Sequence, residues 1–338
     1  MPERSLGEFL QAVNRLDIPV IDVDGGLNDI KASDIPMAAF ATKLASNKTV
    51  TSLALDKTKH TTKHAELLAE GLSKNTVLQS LKLSDLKILD DGVSALAAAL
   101  RLNSSLTSLS LSMVGMGATG VKELASALAV NSSLKHLDLD GNGGGLTDAG
   151  VKSLGQLLGT NQSSLTSLNI GNSHVGPAGI VHLAEGLAMN TTLTTLDMNY
   201  LRKIAFSSGK SLDSFAALCA ALVRNSTLTS INMSMMQLGQ EAMQFLDASL
   251  TMNDSLRELE IGDASPSGSE RSLMAKVRKP RKKTDDMATC DMPPSVVSWL
   301  NKWAAGSSGA DAPSASADSS APPKKRKRMT EAERLRAE

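Results

Sequence analysis

From Val50 to Leu256 one arrangement of apolar and polar positions recurs eight times, its leading apolar residue falling at Val50, Leu78, Leu106, Leu134, Leu165, Leu193, Leu228 and Leu256. Successive leaders are 28, 28, 28, 31, 28, 35 and 28 residues apart. Each unit opens as L-x-x-L-x-L, as in Leu134, Leu137 and Leu139. Its last interval is the period-2 alternation of a half-buried strand. Leucine pairs then follow at i, i+4: Leu68 and Leu72, Leu96 and Leu100, Leu124 and Leu128, Leu154 and Leu158, Leu183 and Leu187, Leu218 and Leu222, Leu246 and Leu250. That spacing lines one face of a helix. Between strand and helix stand Gly92, Gly120, Gly150 and Gly179, and an Asn closes most units: Asn75, Asn103, Asn131, Asn161, Asn190, Asn225 and Asn253. Asn tolerates the left-handed conformation in which helices commonly end, and the pattern predicts that role for it. A period of this length pairing one strand with one helix marks a solenoid, in which no unit can bury its apolar face alone.

These residues resemble the leucine-rich repeats of the ribonuclease-inhibitor-like class over roughly Val20 to Asp263. The resemblance implies an α/β horseshoe, with a parallel sheet on the concave face and helices on the convex face. One departure is plain. The family's buried Asn three residues past the strand occurs only as Asn142; its counterparts are Thr58, Leu86, Val114, Ser173, Leu201, Met236 and Ala264.

The pattern divides the chain into three parts. Residues 1–46 read as an amphipathic helix (Leu6, Phe9, Leu10, Val13, Leu16) and an irregular capping repeat, with Ile18, Ile21 and Val23 as strand and Phe40 and Leu44 on a helix. Residues 47–263 are the solenoid, interrupted by a small insertion at Gly141 to Gly145 and a larger one from Tyr200 to Ser211. Residues 264–338 read as a mostly disordered basic tail, with a short apolar segment at 293–303 and a basic cluster at 322–328.

Charge sharpens this division. The net charge is zero, but 15 of the 35 basic and 8 of the 35 acidic residues lie from Arg271 onward, giving that tail +7. The remaining 20 basic and 27 acidic residues give the rest −7. Lys324, Lys325, Arg326, Lys327 and Arg328 follow two prolines and look like a nuclear import signal, read by an import receptor. A solvated charge run and non-specific phosphate contact with nucleic acid are the alternatives for that cluster. Cys219 and Cys290 are the only cysteines, so no disulfide framework is expected and a reducing compartment fits. No signal peptide or membrane span is read in the sequence. The expected location is nuclear, with shuttling to the cytoplasm left open.

Several motifs suggest chemistry that the repeat explains more simply. Gly115 to Gly120, GMGATG, matches a dinucleotide fingerprint, with Asp138 and Asp140 about one repeat on, but Gly120 belongs to the glycine column. Ser108, His136, Ser167 and Asp138 fall on neighbouring strands, yet an open sheet offers a nucleophile no oxyanion site and no exclusion of water. His60 and His64 stand four apart like zinc ligands, but Lys57, Lys59 and Lys63 crowd them and no Cys is near. Eight N-x-S/T matches follow mostly from the repeat itself. No catalytic residue, metal or cofactor is expected.

Function therefore falls to the concave columns. One reads Ser52, Ser80, Ser108, His136, Ser167, Thr195, Ser230, Glu258, and the next Ala54, Lys82, Ser110, Asp138, Asn169, Asp197, Asn232, Glu260. A third runs from Asp56 through Ser84, Ser112, Asp140, Gly171, Asn199 and Ser234 to Gly262. Small hydroxyls dominate and acid accumulates toward the C-terminal half. The expected partner-binding residues are Tyr200, Arg202, Lys203 and Phe206 on the larger insertion, together with Asp138, Asp197 and Glu260 on the acidic face. Tyrosine and arginine are typical interface anchors. The leading expectation is a non-enzymatic scaffold or adaptor that binds a protein partner. A GTPase-activating regulator resembling the Ran-directed repeat proteins is a second reading, although those carry an acidic region where this chain is basic. A chromatin- or RNA-associated protein tethered by its tail is the third.

Overall fold

A computed structural model describes residues 20–22, 37–55, 61–201, 204–262, 273–276 and 297. The chain divides into two compact units, residues 1–300 and 301–338, and every described element lies in the first. The order is β1 (Val20–Asp22), α1 (Met37–Ser46), β2 (Ser52–Ala54), α2 (Thr62–Lys74), β3 (Ser80–Lys82), α3 (Leu89–Leu100), β4 (Ser108–Ser110), α4 (Ala118–Leu128), β5 (His136–Asp138) and α5 (Asp148–Thr160). It continues with β6 (Ser167–Asn169), α6 (Pro177–Met189), β7 (Thr195–Asp197), β8 (Ala205–Phe206), α7 (Gly209–Arg224), β9 (Ser230–Asn232), β10 (Gln237–Leu238), α8 (Gln240–Met252), β11 (Glu258–Ile261) and β12 (Leu273–Lys276).

One sheet runs in the order β1-β2-β3-β4-β5-β6-β7-β9-β11-β12, parallel throughout except for the antiparallel β11 and β12 pair. Register follows repeat position, so Ser80 pairs with Ser108, Ser108 with His136, and His136 with Ser167. The middle residue of each repeat strand (Leu53, Leu81, Leu109, Leu137, Leu168, Leu196, Ile231, Leu259) is buried. With the i, i+4 leucines it forms continuous layers, each full Leu burial being worth about 1.5–3 kcal/mol. Successive helices α1 to α8 pack side by side in chain order. Strand, turn and helix thus recur as the apolar pattern predicts, and the chain is an α/β repeat solenoid.

The asparagine column closes the helices, but not through the left-handed backbone expected of it. Asn75, Asn190, Asn225 and Asn253 have extended backbones, with φ of −74, −73, −74 and −81°. Only Asn161 is left-handed, at φ 54°. The side chains instead stitch units together. Asn103 donates through its amide to the carbonyls of Leu72 (2.8 Å) and Asn75 (2.9 Å) in the preceding unit, and its Oδ1 accepts from the N–H of Ser105 and Leu106. Asn131 repeats this on Leu100 and Asn103, and Asn225 on Leu187 and Asn190. Each Asn satisfies an orphan carbonyl at the end of the preceding helix and fixes the first turn of its own strand. The ladder breaks once. Asn161 stands four rather than three residues ahead of its leader, is exposed, and reaches Met189 O and Thr191 instead.

A second column lies where the strands end. Asp85, Met113, Gly141, Asn172, Tyr200 and Met235 all have positive φ, between 49 and 71°. Each sends its N–H to the next unit, on Ser112, Asp140, Gly171, Asn199, Ser234 and Gly262 in turn, at 2.6–3.2 Å. The left-handed turn therefore extends the ladder by one bond before the chain leaves for its helix. Gly, Asn and Asp accept this conformation readily; for Met and Tyr it costs about 1–2 kcal/mol.

Two departures from the sequence reading concern the insertion and the tail. Ala205–Phe206 pairs in parallel with Gln237–Leu238, forming a two-stranded sheet. Leu201, Ile204 and Phe206 are buried, with Phe206 against Phe215 at a ring separation of 5.0 Å. The insertion thus folds onto the body under its own apolar side chains. In the tail, read as mostly disordered from residue 264, Leu273–Lys276 is a strand that pairs Leu273 with Ile261 and Lys276 with Glu258. An edge strand leaves N–H and C=O groups unpaired, and β12 covers the edge of β11. The amphipathic N-terminal segment 1–16 lies outside the described residues.

Candidate protein-binding face

On the open side of the sheet, strand residues flanking the buried leucines form the polar columns. Ser52, Ser80, Ser108, Ser167, Thr195 and Ser230 are half-buried, while His136, Lys82 and Glu258 are exposed. The acidic residues collect between β5 and β7. Ser84 and Ser110 hydroxyls lie 3.1 Å apart, Ser110 Oγ donates to Asp138 Oδ2 at 2.7 Å, and Asp140 N–H donates to Asp138 Oδ1 at 3.1 Å. Two strands on, Asp197 accepts from the amides of Asn199 (2.7 Å) and Asn232 (3.1 Å). Burial, followed by the charges of Asp138 and then Asp197, raises the Asp140 carboxyl above the usual carboxylate range, and hydrogen bonds from Asn172 and Ser112 oppose this. Asp140 therefore belongs with Asp138 and Asp197, a grouping the column order already contained.

The structure sorts the candidate binding residues. Asp138, Asp197 and Glu260 stand half-buried on this face, and Tyr200 at its rim is 36% exposed. Phe206 is fully buried, which corrects its reading as a surface anchor: the apolar ring gains more by packing on Phe215 than it would in water. Arg202, Lys203 and Lys324 to Arg328 lie outside the described residues.

Competing chemistry meets specific obstacles. The glycine motif would offer N–H groups to a pyrophosphate, but Asp90 Oδ1 already accepts from Gly117 (2.6 Å) and Gly120 (3.0 Å). A Cβ on Gly120 would lie 2.7 Å from that oxygen. Asp148 serves Gly176 and Gly179 in the same way. An acid in the first turn of one helix thus caps the start of the next helix, where the helix dipole favours negative charge. Asp138 spends its carboxylate on Ser110 and the Asp140 N–H, so a Ser–His–Asp relay is not assembled. His64 Nδ1 accepts from Thr61 N–H in a capping box, and among the described residues no cluster fit for a metal ion occurs; His60 lies outside them. Most N-x-S/T asparagines, Asn103 and Asn131 among them, are buried in the ladder. Burial pushes the Cys219 thiol up to about 12 despite a hydrogen bond with Ser249, leaving it unreactive. Among the described residues no helix is long and apolar enough to cross a membrane.

Residues 74–97 and 130–155 match the family model described as Leucine Rich repeat. Both segments are thus leucine-rich repeats, and the repeat length and strand-then-helix order continue through the other described units. No curated protein matches the sequence. Among solved structures, the leucine-rich repeat-containing protein LegL7 from Legionella pneumophila is 17% identical, with 82% of this chain and 79% of that chain covered and a TM-score of 0.44. Leiomodin-1 actin-binding site 2 is 22% identical, covering 46% and 88%, with a TM-score of 0.38. The tropomodulin C-terminal domain of Caenorhabditis elegans is 16% identical, covering 48% and 92%, with a TM-score of 0.40.

Proposed function

We propose that this protein is a non-enzymatic interaction scaffold of the ribonuclease-inhibitor-like repeat class, acting in the nucleus and holding a protein partner on the open face of its sheet. The observation that carries this reading is the half-exposed acidic group Asp138, Asp140 and Asp197, set among serine and asparagine side chains on a surface with one side chain per strand in each column. Such columns present an extended, regularly spaced surface, the use to which repeat solenoids are put. A row of small hydroxyls and carboxylates recognises by hydrogen bonding and charge. Among the described residues, the hydroxyls of these columns have no base or oxyanion site assembled beside them.

Nuclear residence rests on Lys324 to Arg328, a dense basic cluster behind two prolines, with Arg278 to Lys283 as a second. Replacing Lys324, Lys325, Arg326 and Lys327 by Ala should move a fluorescent fusion of the full chain to the cytoplasm. Nuclear fluorescence that persists with both clusters replaced would refute the location.

A further inference from the structure

The open face ends in a row of exposed apolar side chains that the core does not explain. Met113 is 49% exposed, Tyr200 36% and Met235 44%, and Leu89, 50% exposed, lies beside Gly115, two residues past Met113. Met113 lies over Gly141, where its Cγ fills the space a side chain would need. Three of these residues occupy left-handed backbone positions at which the same column elsewhere uses Asp85, Gly141 and Asn172. Neither burial nor backbone preference accounts for long apolar side chains there. Apolar surface gathered at the rim of a polar face marks a contact surface.

Strand order sets the dimensions. Met113 follows β4, Tyr200 follows β7 and Met235 follows β9, its neighbour in the sheet. With strands about 4.8 Å apart, Met113 and Tyr200 stand roughly 14 Å apart, the length of about four residues of extended chain. Asp138 at the end of β5, Asp140 two residues beyond it, and Asp197 on β7 lie along that interval, beside the row. Among the described residues no Lys or Arg pairs with them. An occupant must offer apolar side chains to the rim and cations to the face. Of the chain's own basic segments, Leu273–Lys276 is taken up as β12 on the edge of β11, and the clusters Arg278 to Lys283 and Lys324 to Arg328 hold only a proline among their cations, so neither cluster offers the aliphatic side chains the rim asks for.

We propose that Met113, Tyr200 and Met235, with Leu89 beside them, dock an extended segment of a separate protein in which aliphatic residues alternate with Lys or Arg. The apolar side chains seat on the rim, and the cations reach Asp138, Asp140 and Asp197. This rests on the reading of the open face as the partner surface and names the kind of partner it takes.

The substitutions Met113→Gly, Tyr200→Gly and Met235→Gly make the test sharp, because glycine relieves the left-handed backbone while removing the contact. The probe is a fluorescein-labelled twelve-residue peptide of alternating Lys and Leu, titrated with the full chain and followed by anisotropy. The expected result is affinity at least tenfold weaker for the triple variant, with a melting temperature unchanged or raised, and weaker binding of peptides carrying Glu for Lys or Ser for Leu. Equal affinity of the triple variant, or equal binding of the control peptides, overturns the proposal. Tenfold tighter binding after Lys324 to Arg328 are replaced by Ser would make the chain's own tail the occupant, and self-association abolished by the triple variant would make it a second copy; either overturns a separate partner. If the peptide fails while partner crosslinks to the open face persist, this inference alone falls; if those crosslinks are absent, the reading beneath it falls too.

Discussion

Replacing Asn225 by glycine separates two physical accounts of the asparagine column. If the residue served as a left-handed helix end, glycine would be neutral or favourable, since it carries no Cβ penalty there. The structure gives Asn225 an extended backbone (φ −74°, ψ 127°) and four hydrogen bonds from its side chain to backbone groups. Its amide donates to Leu187 O at 2.7 Å and Asn190 O at 3.0 Å, while its Oδ1 accepts from Thr227 N–H at 2.9 Å and Leu228 N–H at 2.7 Å. The carbonyls keep other donors: Asn190 N–H on Leu187 O, and Thr227 Oγ on Asn190 O. The buried Leu228 N–H loses its acceptor. Four bonds at about 0.5–1.5 kcal/mol each amount to about 2–6 kcal/mol, and the orphaned N–H places the loss near ~4 kcal/mol. Urea unfolding of the full chain at 25 °C, followed by circular dichroism, measures it. At a slope of about 2 kcal/mol per molar, the midpoint should fall by ~2 M. A variant within ~0.5 kcal/mol of the parent would refute the ladder and restore the cap. A fall in slope without a fall in midpoint would mean that the flanking repeats had uncoupled.

Three further substitutions probe the same logic. Asp90→Ala removes the acceptor of Gly117 and Gly120 and should cost about 2–4 kcal/mol, with faster amide exchange at those two glycines; unchanged exchange would contradict the capping role. Asp140 has a raised carboxyl, so its charged form weakens the fold, and the stability held by its protonated form is lost as pH rises through that raised value. Asp140→Asn should therefore raise the melting temperature at pH 7, by an amount that shrinks as pH falls toward the ordinary carboxylate range; a gain constant from pH 3 to 8 would contradict this. Ser173 Oγ is buried with no hydrogen-bond partner, so Ser173→Ala should leave stability unchanged or raise it by about 1 kcal/mol, and a clear loss in a thermal melt would show a partner unaccounted for.

How much the sequence disclosed depended on whether a residue's role was periodic or contextual. Leucine spacing set strand, helix and register because burial repeats with the backbone period. The asparagines were visible as a column, but their partners lie 28 to 38 residues upstream, so spacing alone left a local cap as the natural reading. The departure at Ser173 was equally visible: one repeat after Asn142, a shorter side chain occupies the place and finds no partner. Asp90 stands in one repeat and its glycines in the next, so GMGATG looked like a phosphate loop until the carboxylate was seen on its N–H groups. Phe206 was legible as an insertion residue and illegible as a core one, because Phe215 reaches it only after the chain folds back. The Met113, Tyr200 and Met235 column could have been found by counting one residue past the third polar column, but its left-handed backbone leaves no mark in residue type when Met and Tyr occupy it.

The claim that the open face carries the partner is tested most directly by site-specific photo-crosslinking in the full chain. Benzoylphenylalanine placed singly at Ser108, Ser167 and Ser230 on the face, and at Lys152 and Gln156 on the exposed side of α5, is irradiated in nuclear extract and the adducts are mapped by mass spectrometry. The account predicts that one protein partner crosslinks at the three serine positions, that it does not crosslink from α5, and that the adducts disappear when Asp138, Asp140 and Asp197 are changed to Asn. The same partner captured equally from Lys152 and Gln156, or retained at full yield by the triple Asn variant, would contradict it.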